Sequence, residues 1–211
     1  MTRYIAFLRA INVGRRTVRM DRLREVFEAA GYDDVATYIA SGNVIFAAAE
    51  PDPHRLEREI ERLLAEAFGF HVDTFVRTTQ ELAAIAAFRP FAAPQTGGPA
   101  GAAAPDGTAD PAAENATLHI AFLPHAPSDE AAERLLTFRS DVDDFRVHGR
   151  EVYWLCRTKT SESAFSGAVL EKALGMPATL RNANTVRKIA ELYCGTPTTS
   201  SPGLLGERPA R

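Results

Sequence analysis

Val35-Ala36-Thr37-Tyr38-Ile39-Ala40-Ser41-Gly42-Asn43-Val44-Ile45-Phe46-Ala47 is the stretch whose reading decides the fold. Two β-rich runs, Val35–Ala40 and Val44–Ala47, flank Ser41-Gly42-Asn43, whose residues tolerate positive φ, so the segment predicts a hairpin. Before it, Met20–Ala30 reads as a helix with Leu23, Val26, Phe27 and Ala30 as one stripe and Gly31 as a left-handed stop. After it, Asp52 and Pro53 supply an N-cap and a first helical position ahead of Leu56, Ile60, Leu63, Leu64 and Ala67, and Gly69 closes that helix. Strands over Tyr4–Arg9 and Val72–Arg77 complete the order β-α-β-β-α-β, that of the ferredoxin-like split βαβ unit. Thr78-Thr79-Gln80-Glu81 then forms a capping box for a connecting helix through Ala87.

The same order returns further on. Thr117–Leu123 reads as a strand, and Ser128 caps a helix carrying Ala131, Leu135 and Leu136. Asp143–His148 and Glu151–Arg157 form a second hairpin around His148-Gly149-Arg150. Phe165, Val169, Leu170 and Ala173 define a helix stopped by Gly175, with Pro177 beyond it. Ala178–Arg181 is a short closing strand, and Asn184 caps the last helix, which runs through Cys194 to Gly195. No sequence identity between the halves is apparent, so the repeat is one of pattern.

Alanine, proline and glycine fill 18 of the 25 positions from 92 to 116, a composition that buries too little apolar surface to offset its ordering entropy. The expected organisation is therefore an α+β chain of two ferredoxin-like (βαββαβ) halves in tandem, packed together. Residues 1–90 are the first half with its connecting helix, 91–116 a disordered low-complexity loop, 117–195 the second half, and 196–211 a disordered tail. The first strand carries Tyr4, Ala6 and Leu8 on one face and Ile5 and Phe7 on the other. A strand apolar on both faces is covered on both, most simply here by the other half.

Composition sets the class. A chain of 211 residues with 45% hydrophobic and 24% charged residues has core enough to need no staples. A net charge of −3 gives no global attraction to nucleic acid or anionic membrane. Locally, residues 1–24 carry seven arginines against Asp21, although arginine outnumbers lysine 21 to 3 throughout and composition bias accounts equally well for that basic end. Two cysteines, Cys156 and Cys194, form no disulfide framework and no metal spacing. Tyr4–Leu8 is too short for a signal segment and no run approaches the ~18 apolar residues of a membrane helix, so a cytoplasmic protein without membrane contact is expected.

Three polar segments carry the candidate chemistry. They are Arg9-Ala10-Ile11-Asn12-Val13-Gly14-Arg15-Arg16 behind the first strand, Ser41-Gly42-Asn43 in the hairpin, and Arg181-Asn182-Ala183-Asn184-Thr185 at the last helix. Gly14 allows close backbone approach, a loop feeding a helix N-terminus aims N–H groups at an anion, and Arg9, Arg15 and Arg16 offer bidentate guanidinium contacts. The competing reading is that Asn12 and Gly14 shape a turn, that Ser41-Gly42-Asn43 is hairpin chemistry, and that Arg181 and Asn182 tie the halves together. No P-loop, Gly-x-Gly-x-x-Gly or Gly-x-Ser-x-Gly pattern occurs. The five histidines, His54, His71, His119, His125 and His148, share no ligand spacing, so neither metal nor cofactor is expected. Asp141, Asp143 and Asp144 read as a polar turn rather than a cation site.

Arg9-Ala10-Ile11-Asn12-Val13-Gly14 with Met20 and Leu23, Tyr38 to Val44, Leu170-Glu171-Lys172-Ala173-Leu174-Gly175, and Arg181 to Val186 together resemble the bacterial domain of unknown function 1697 family, in order from residue 4 to about 193. The resemblance implies an α+β fold in two related halves and no established activity. The family usually shows glycine where Ala10 and Arg15 stand, tryptophan where Ala183 stands, and a serine–lysine pair where this chain has Ser161-Glu162-Ser163-Ala164.

The functional expectation is a binding module for a small phosphate- or carboxylate-bearing ligand at the junction of the halves. Arg9, Asn12, Gly14, Ser41, Gly42, Asn43, Arg181 and Asn182 are its candidate contacts. An enzyme using the same cluster lacks an identifiable base, and a nucleic-acid module lacks the RNA-binding signature on its third strand. The sequence leaves the oligomeric state open.

Overall fold

The computed structural model describes residues 1–14, 17–40, 42–91 and 116–195. The first half runs β1 (Thr2–Leu8), α1 (Met20–Ala29), β2 (Asp33–Tyr38), β3 (Asn43–Ala48), α2 (Pro53–Phe68), β4 (Thr74–Thr78) and α3 (Thr79–Ala87). The second runs β5 (Thr117–Phe122), α4 (Asp129–Leu136), β6 (Asp143–His148), β7 (Glu151–Cys156), α5 (Gly167–Leu174), β8 (Thr179–Asn182) and α6 (Ala183–Tyr193). The described residues therefore form two four-stranded antiparallel sheets, ordered β2-β3-β1-β4 and β6-β7-β5-β8, and six helices. None of these helices is long and apolar enough to cross a membrane. Apart from Phe91 and Ala116 at its ends, the 91–116 segment lies outside the described residues, as does the 196–211 tail.

Local chemistry explains the element ends. Asp52 accepts from the His54 N–H with Pro53 behind it, and Gly69 ends α2 at φ 78°. Thr78 and Glu81 make both bonds of the capping box of α3. Several expected bounds shift, among them that of β2, which spans Asp33–Tyr38. The last strand extends to Asn182, because β8 continues pairing with β5 up to the His119–Asn182 partners. Asn182 rather than Asn184 therefore caps α6, its Oδ1 accepting from the Asn184 N–H at 2.8 Å. Phe165 stands outside α5, which Ser166 caps, and packs its ring against Trp154 and Phe145.

Three apolar layers result. Tyr4, Ala6 and Leu8 join Leu23, Val26 and Phe27 of α1 and Leu56, Ile60 and Leu64 of α2 on the outer face of the first sheet. Ala121 and Leu123, with Val152 and Trp154, meet Leu135 of α4 and Leu170 of α5 on the outer face of the second. The remaining faces meet each other. Ile5, Phe7, Ile45 and Phe75 form one central cluster with Ile120, Phe122 and Tyr153, completed by Leu82 and Ile85 of α3 and Val186 and Ile189 of α6. Each fully buried aromatic contributes roughly 1.5–3 kcal/mol of burial, so this middle layer is a main bond between the halves.

The strand registers align the halves residue by residue. Phe7 pairs with Asn43 as Phe122 pairs with Glu151, and Ile5 pairs with Arg77 as Ile120 pairs with Arg181. At these equivalent positions Ile5-Ala6-Phe7-Leu8 and Ile120-Ala121-Phe122-Leu123 are the same tetrapeptide. The halves therefore do share sequence, in the central strand where packing on both faces leaves least freedom. A four-residue match is too short to stand out until the register isolates it.

Candidate functional site

Arg181 lies on the edge strand β8 and is only 7% exposed. Its Nε donates to Asn43 Oδ1 at 2.6 Å, its Nη2 to the Leu8 carbonyl at 2.9 Å and the Gly42 carbonyl at 3.4 Å, and its Nη1 to Thr179 Oγ1 at 2.7 Å and the Leu180 carbonyl at 2.9 Å. Burial pulls the guanidinium down to about 10, still charged at neutral pH. Asn43 turns its amide nitrogen to the Tyr38 carbonyl at 2.9 Å. Gly42, at φ 73°, sits where an added Cβ would lie 2.7 Å from Ile11 and 3.0 Å from Leu8, so both its conformation and the closeness of its neighbours require glycine.

The opposite corner repeats this arrangement. Arg77 of β4, 1% exposed, donates to Glu151 at 2.7 Å, to the Leu123 carbonyl at 3.0 Å and to the Arg150 carbonyl at 3.3 Å. Each guanidinium also lies over a ring of the other half, Arg77 over Phe122 at 5.6 Å and Arg181 over Phe7 at 5.7 Å. The last strand of each half thus inserts an arginine into the β-turn corner of the other.

Asn12 closes its own loop, accepting from the Val18 N–H at 2.6 Å and donating to the carbonyls of Val18 at 3.2 Å and Ala40 at 2.9 Å. Gly14 has φ 68° and open space around it. Arg9 departs from this corner. It clasps Glu171 of α5 bidentately at 2.6 and 2.8 Å and reaches Asp73 at 3.0 Å, and the Glu171 contact first of all raises its pKa. The structure therefore brings Gly42, Asn43 and Arg181 together, ties Asn12 to them through Ala40, sends Arg9 to α5 and leaves Asn182 as a helix cap. Ser41, Arg15 and Arg16 lie outside the described residues.

Two polar groupings arise that no local motif announces. In the second half, Arg139, Arg146 and Arg157 converge on Asp144 at 3.0, 3.2 and 3.7 Å and line a groove of about 420 Å³ with Ser140 and Asp141. Neighbouring Asp143 faces the other way, buried against Trp154 Nε1 at 2.7 Å and Ser163 Oγ at 2.8 Å, because successive strand residues alternate faces. Between the halves, His54, Glu57, Glu61 and Asp73 face Pro124, His125 and Pro177 across a groove of about 300 Å³. The arginine trio is spread over 139–157, with a turn and a hairpin between its members, so its only sequence signal is a local excess of arginine.

Comparisons with known proteins bear on the family and the fold. The family model described as a protein of unknown function (DUF1697) matches residues 1–153. A solved structure, that of the conserved bacterial protein SP0830 from Streptococcus pneumoniae, matches with a TM-score of 0.64 at 21% identity, covering 91% of this chain and 98% of that one. At that identity the likeness concerns the fold. No curated protein matches this chain.

Proposed function

The chain belongs to the DUF1697 family, and from that premise we propose that it is a binding module for a small phosphate- or carboxylate-bearing anion rather than a catalyst. Each half is read here as a ferredoxin-like unit, a reading that rests on the antiparallel β2-β3-β1-β4 order and on two helices packed against a single sheet face. In this proposal Gly42, Asn43 and Arg181 serve to hold the halves in register, with Asn12 closing the adjoining loop, because their polar groups are already satisfied within the protein. The ligand is assigned instead to the groove of Arg139, Arg146 and Arg157.

The observation that carries this reading is the convergence of three guanidiniums on one carboxylate, Asp144. Asp144 and the groove's other acid, Asp141, leave a surplus positive charge among the lining residues. Arginine's planar fork suits phosphate and carboxylate oxygens, and each of these three side chains is more than a third exposed and so reachable from solvent.

Isothermal titration with inorganic phosphate, pyrophosphate and citrate at low ionic strength tests the assignment. Binding that weakens with salt and is lost in the Arg139→Ala/Arg157→Ala double variant, with the circular dichroism spectrum unchanged, is the expected result. No binding of any of the three, or binding indifferent to that double substitution, overturns it. Loss of binding in Asn12→Ala alone would return the ligand to the loop corner and also overturn the groove assignment.

A further inference from the structure

The groove between the halves has a different chemistry. Glu61 of α2 and His71 and Asp73 of the α2–β4 connection bring one carboxylate oxygen, one imidazole nitrogen and one further carboxylate oxygen within 4.8 Å of one another. His71 Nε2 stands 3.1 Å from Asp73 Oδ1, while Asp73 Oδ2 accepts from Arg9 at 3.0 Å. The sequence separates Glu61 from the other two by the end of a helix and a turn, which is why spacing alone does not reveal them.

The three carboxylates lining this groove are not alike. Glu57 has His54 at 2.9 Å and the guanidiniums of Arg150 and Arg77 at 3.8 and 3.9 Å, and Asp73 has Arg9. Glu61 makes no ion pair among the described residues. Its Oε1 accepts the Thr74 N–H at 3.0 Å, and the side chain is only partly buried. Arg9 pairs with Asp73 and Arg58 also lines the groove, yet among the described residues no guanidinium pairs with Glu61, and the groove of about 300 Å³ in front of it has room for a cation with its waters.

We propose that Glu61, His71 and Asp73 form a binding site for a divalent transition-metal ion of the zinc class at the cleft between the halves. One imidazole and two carboxylates are a mixed nitrogen and oxygen donor set, which suits zinc and cobalt better than the all-oxygen preference of magnesium or calcium. Three protein donors leave a position open to water or ligand on the groove side, where His54 and His125 also line the groove. A cation here ties α2 to the α2–β4 connection beside the cleft.

The full chain is titrated with ZnCl2 by calorimetry and with CoCl2 by visible absorption, in metal-free buffer at pH 7.5. The expected result is one equivalent of each, with a cobalt d–d band, and affinity reduced roughly tenfold or more in both His71→Ala and Glu61→Gln. His71 is exposed and Glu61→Gln keeps its volume, so both variants are expected to fold, which circular dichroism checks. His119→Ala, remote in the fold's other sheet, serves as the control and leaves the affinity unchanged. Absence of zinc binding, or loss of affinity in neither variant or in only one, overturns the site. The phosphate titration of the arginine groove uses different residues, so failure of either proposal leaves the other readable.

Discussion

Phe7 and Phe122 stack face to face with ring centroids 3.9 Å apart and planes inclined by 13°. They occupy the same position in the two halves, so a residue here meets its own counterpart, as happens on a two-fold axis. The guanidiniums of Arg181 and Arg77 flank the pair, each over the ring of the opposite half. A chain of two like halves is thus joined the way a symmetric dimer is, with each side giving what it receives.

The ring pair is the first place to test that view. Phe7→Ala and Phe122→Ala should each cost about 3–5 kcal/mol in urea unfolding, since both rings are fully buried. Because the two share a contact, the double variant should fall short of additivity by about 0.5–1.5 kcal/mol. Simple addition would mean that the halves are held elsewhere.

The two buried arginines differ in their partners, which gives a second expectation. Arg77 faces the carboxylate of Glu151, and Arg181 faces the neutral amide of Asn43. Glu151→Ala leaves Arg77, 1% exposed, with only the more distant Glu57 carboxylate at 3.9 Å and should cost about 3–5 kcal/mol. Asn43→Ala removes a hydrogen bond to a charge together with the amide's bond to the Tyr38 carbonyl, and should cost about 1.5–3 kcal/mol. Chemical denaturation that ranks the two in the opposite order would refute the assignment of the stronger tie to Arg77.

Two of the three non-glycine residues with positive φ among the described residues lie in or next to the first two polar segments, the third being Asp34 of β2. Ala10 and Ile39 both adopt the left-handed region, at φ 52° and 51°, and Ile39 is a branched residue with 52% of its surface exposed. Ile39→Asn keeps a side chain that tolerates this conformation and gives up little burial. It should raise stability by about 0.5–1 kcal/mol, read as a higher denaturation midpoint, and a lower midpoint would show that Ile39 packs for a purpose.

His119 supplies a pH-dependent signal. Its ring stacks on Trp154 at 4.9 Å, its Nε2 lies 3.0 Å from Thr160 Oγ1, and burial lowers its pKa below 6.5. The unfolded chain therefore binds this proton more readily than the folded one. Stability attached to His119 is present above 6.5 and lost as pH falls below it, through the lowered folded value. Trp154 is the chain's only tryptophan, so its fluorescence should follow this protonation with a midpoint under 6.5 and lose the transition in His119→Gln. A midpoint at or above 6.5 would contradict the burial argument.

The polar motifs were legible as residues and illegible as partners. Asn182 was separable from Arg181 only once β8 was seen to pair through it, which made it a cap. Arg9 and Arg181 look interchangeable as basic residues beside glycine and asparagine. Yet one ends partly exposed in a double clasp with Glu171, and the other is sealed under Phe7. Local periodicity carries no information on which face of a second sheet an arginine will enter. The Glu61, His71 and Asp73 cluster and the arginine trio carry no local signature for the same reason, since their members are set by turns between elements.

By itself the sequence determined the element order, the hairpins, the caps at Asp52, Thr78 and Ser128, and the burial of the first strand on both faces. Those features follow from short-range rules, in which periodicity, cap chemistry and positive-φ residues act within a few positions. Only the tertiary structure decided that Asn43 and Arg181, 138 residues apart, share a hydrogen bond, and that Ile5-Ala6-Phe7-Leu8 faces its own repeat. Burial makes the difference. Once the sheets close on each other, an unpaired arginine between them costs far more than one in water, so the packing of the two halves selects the partner.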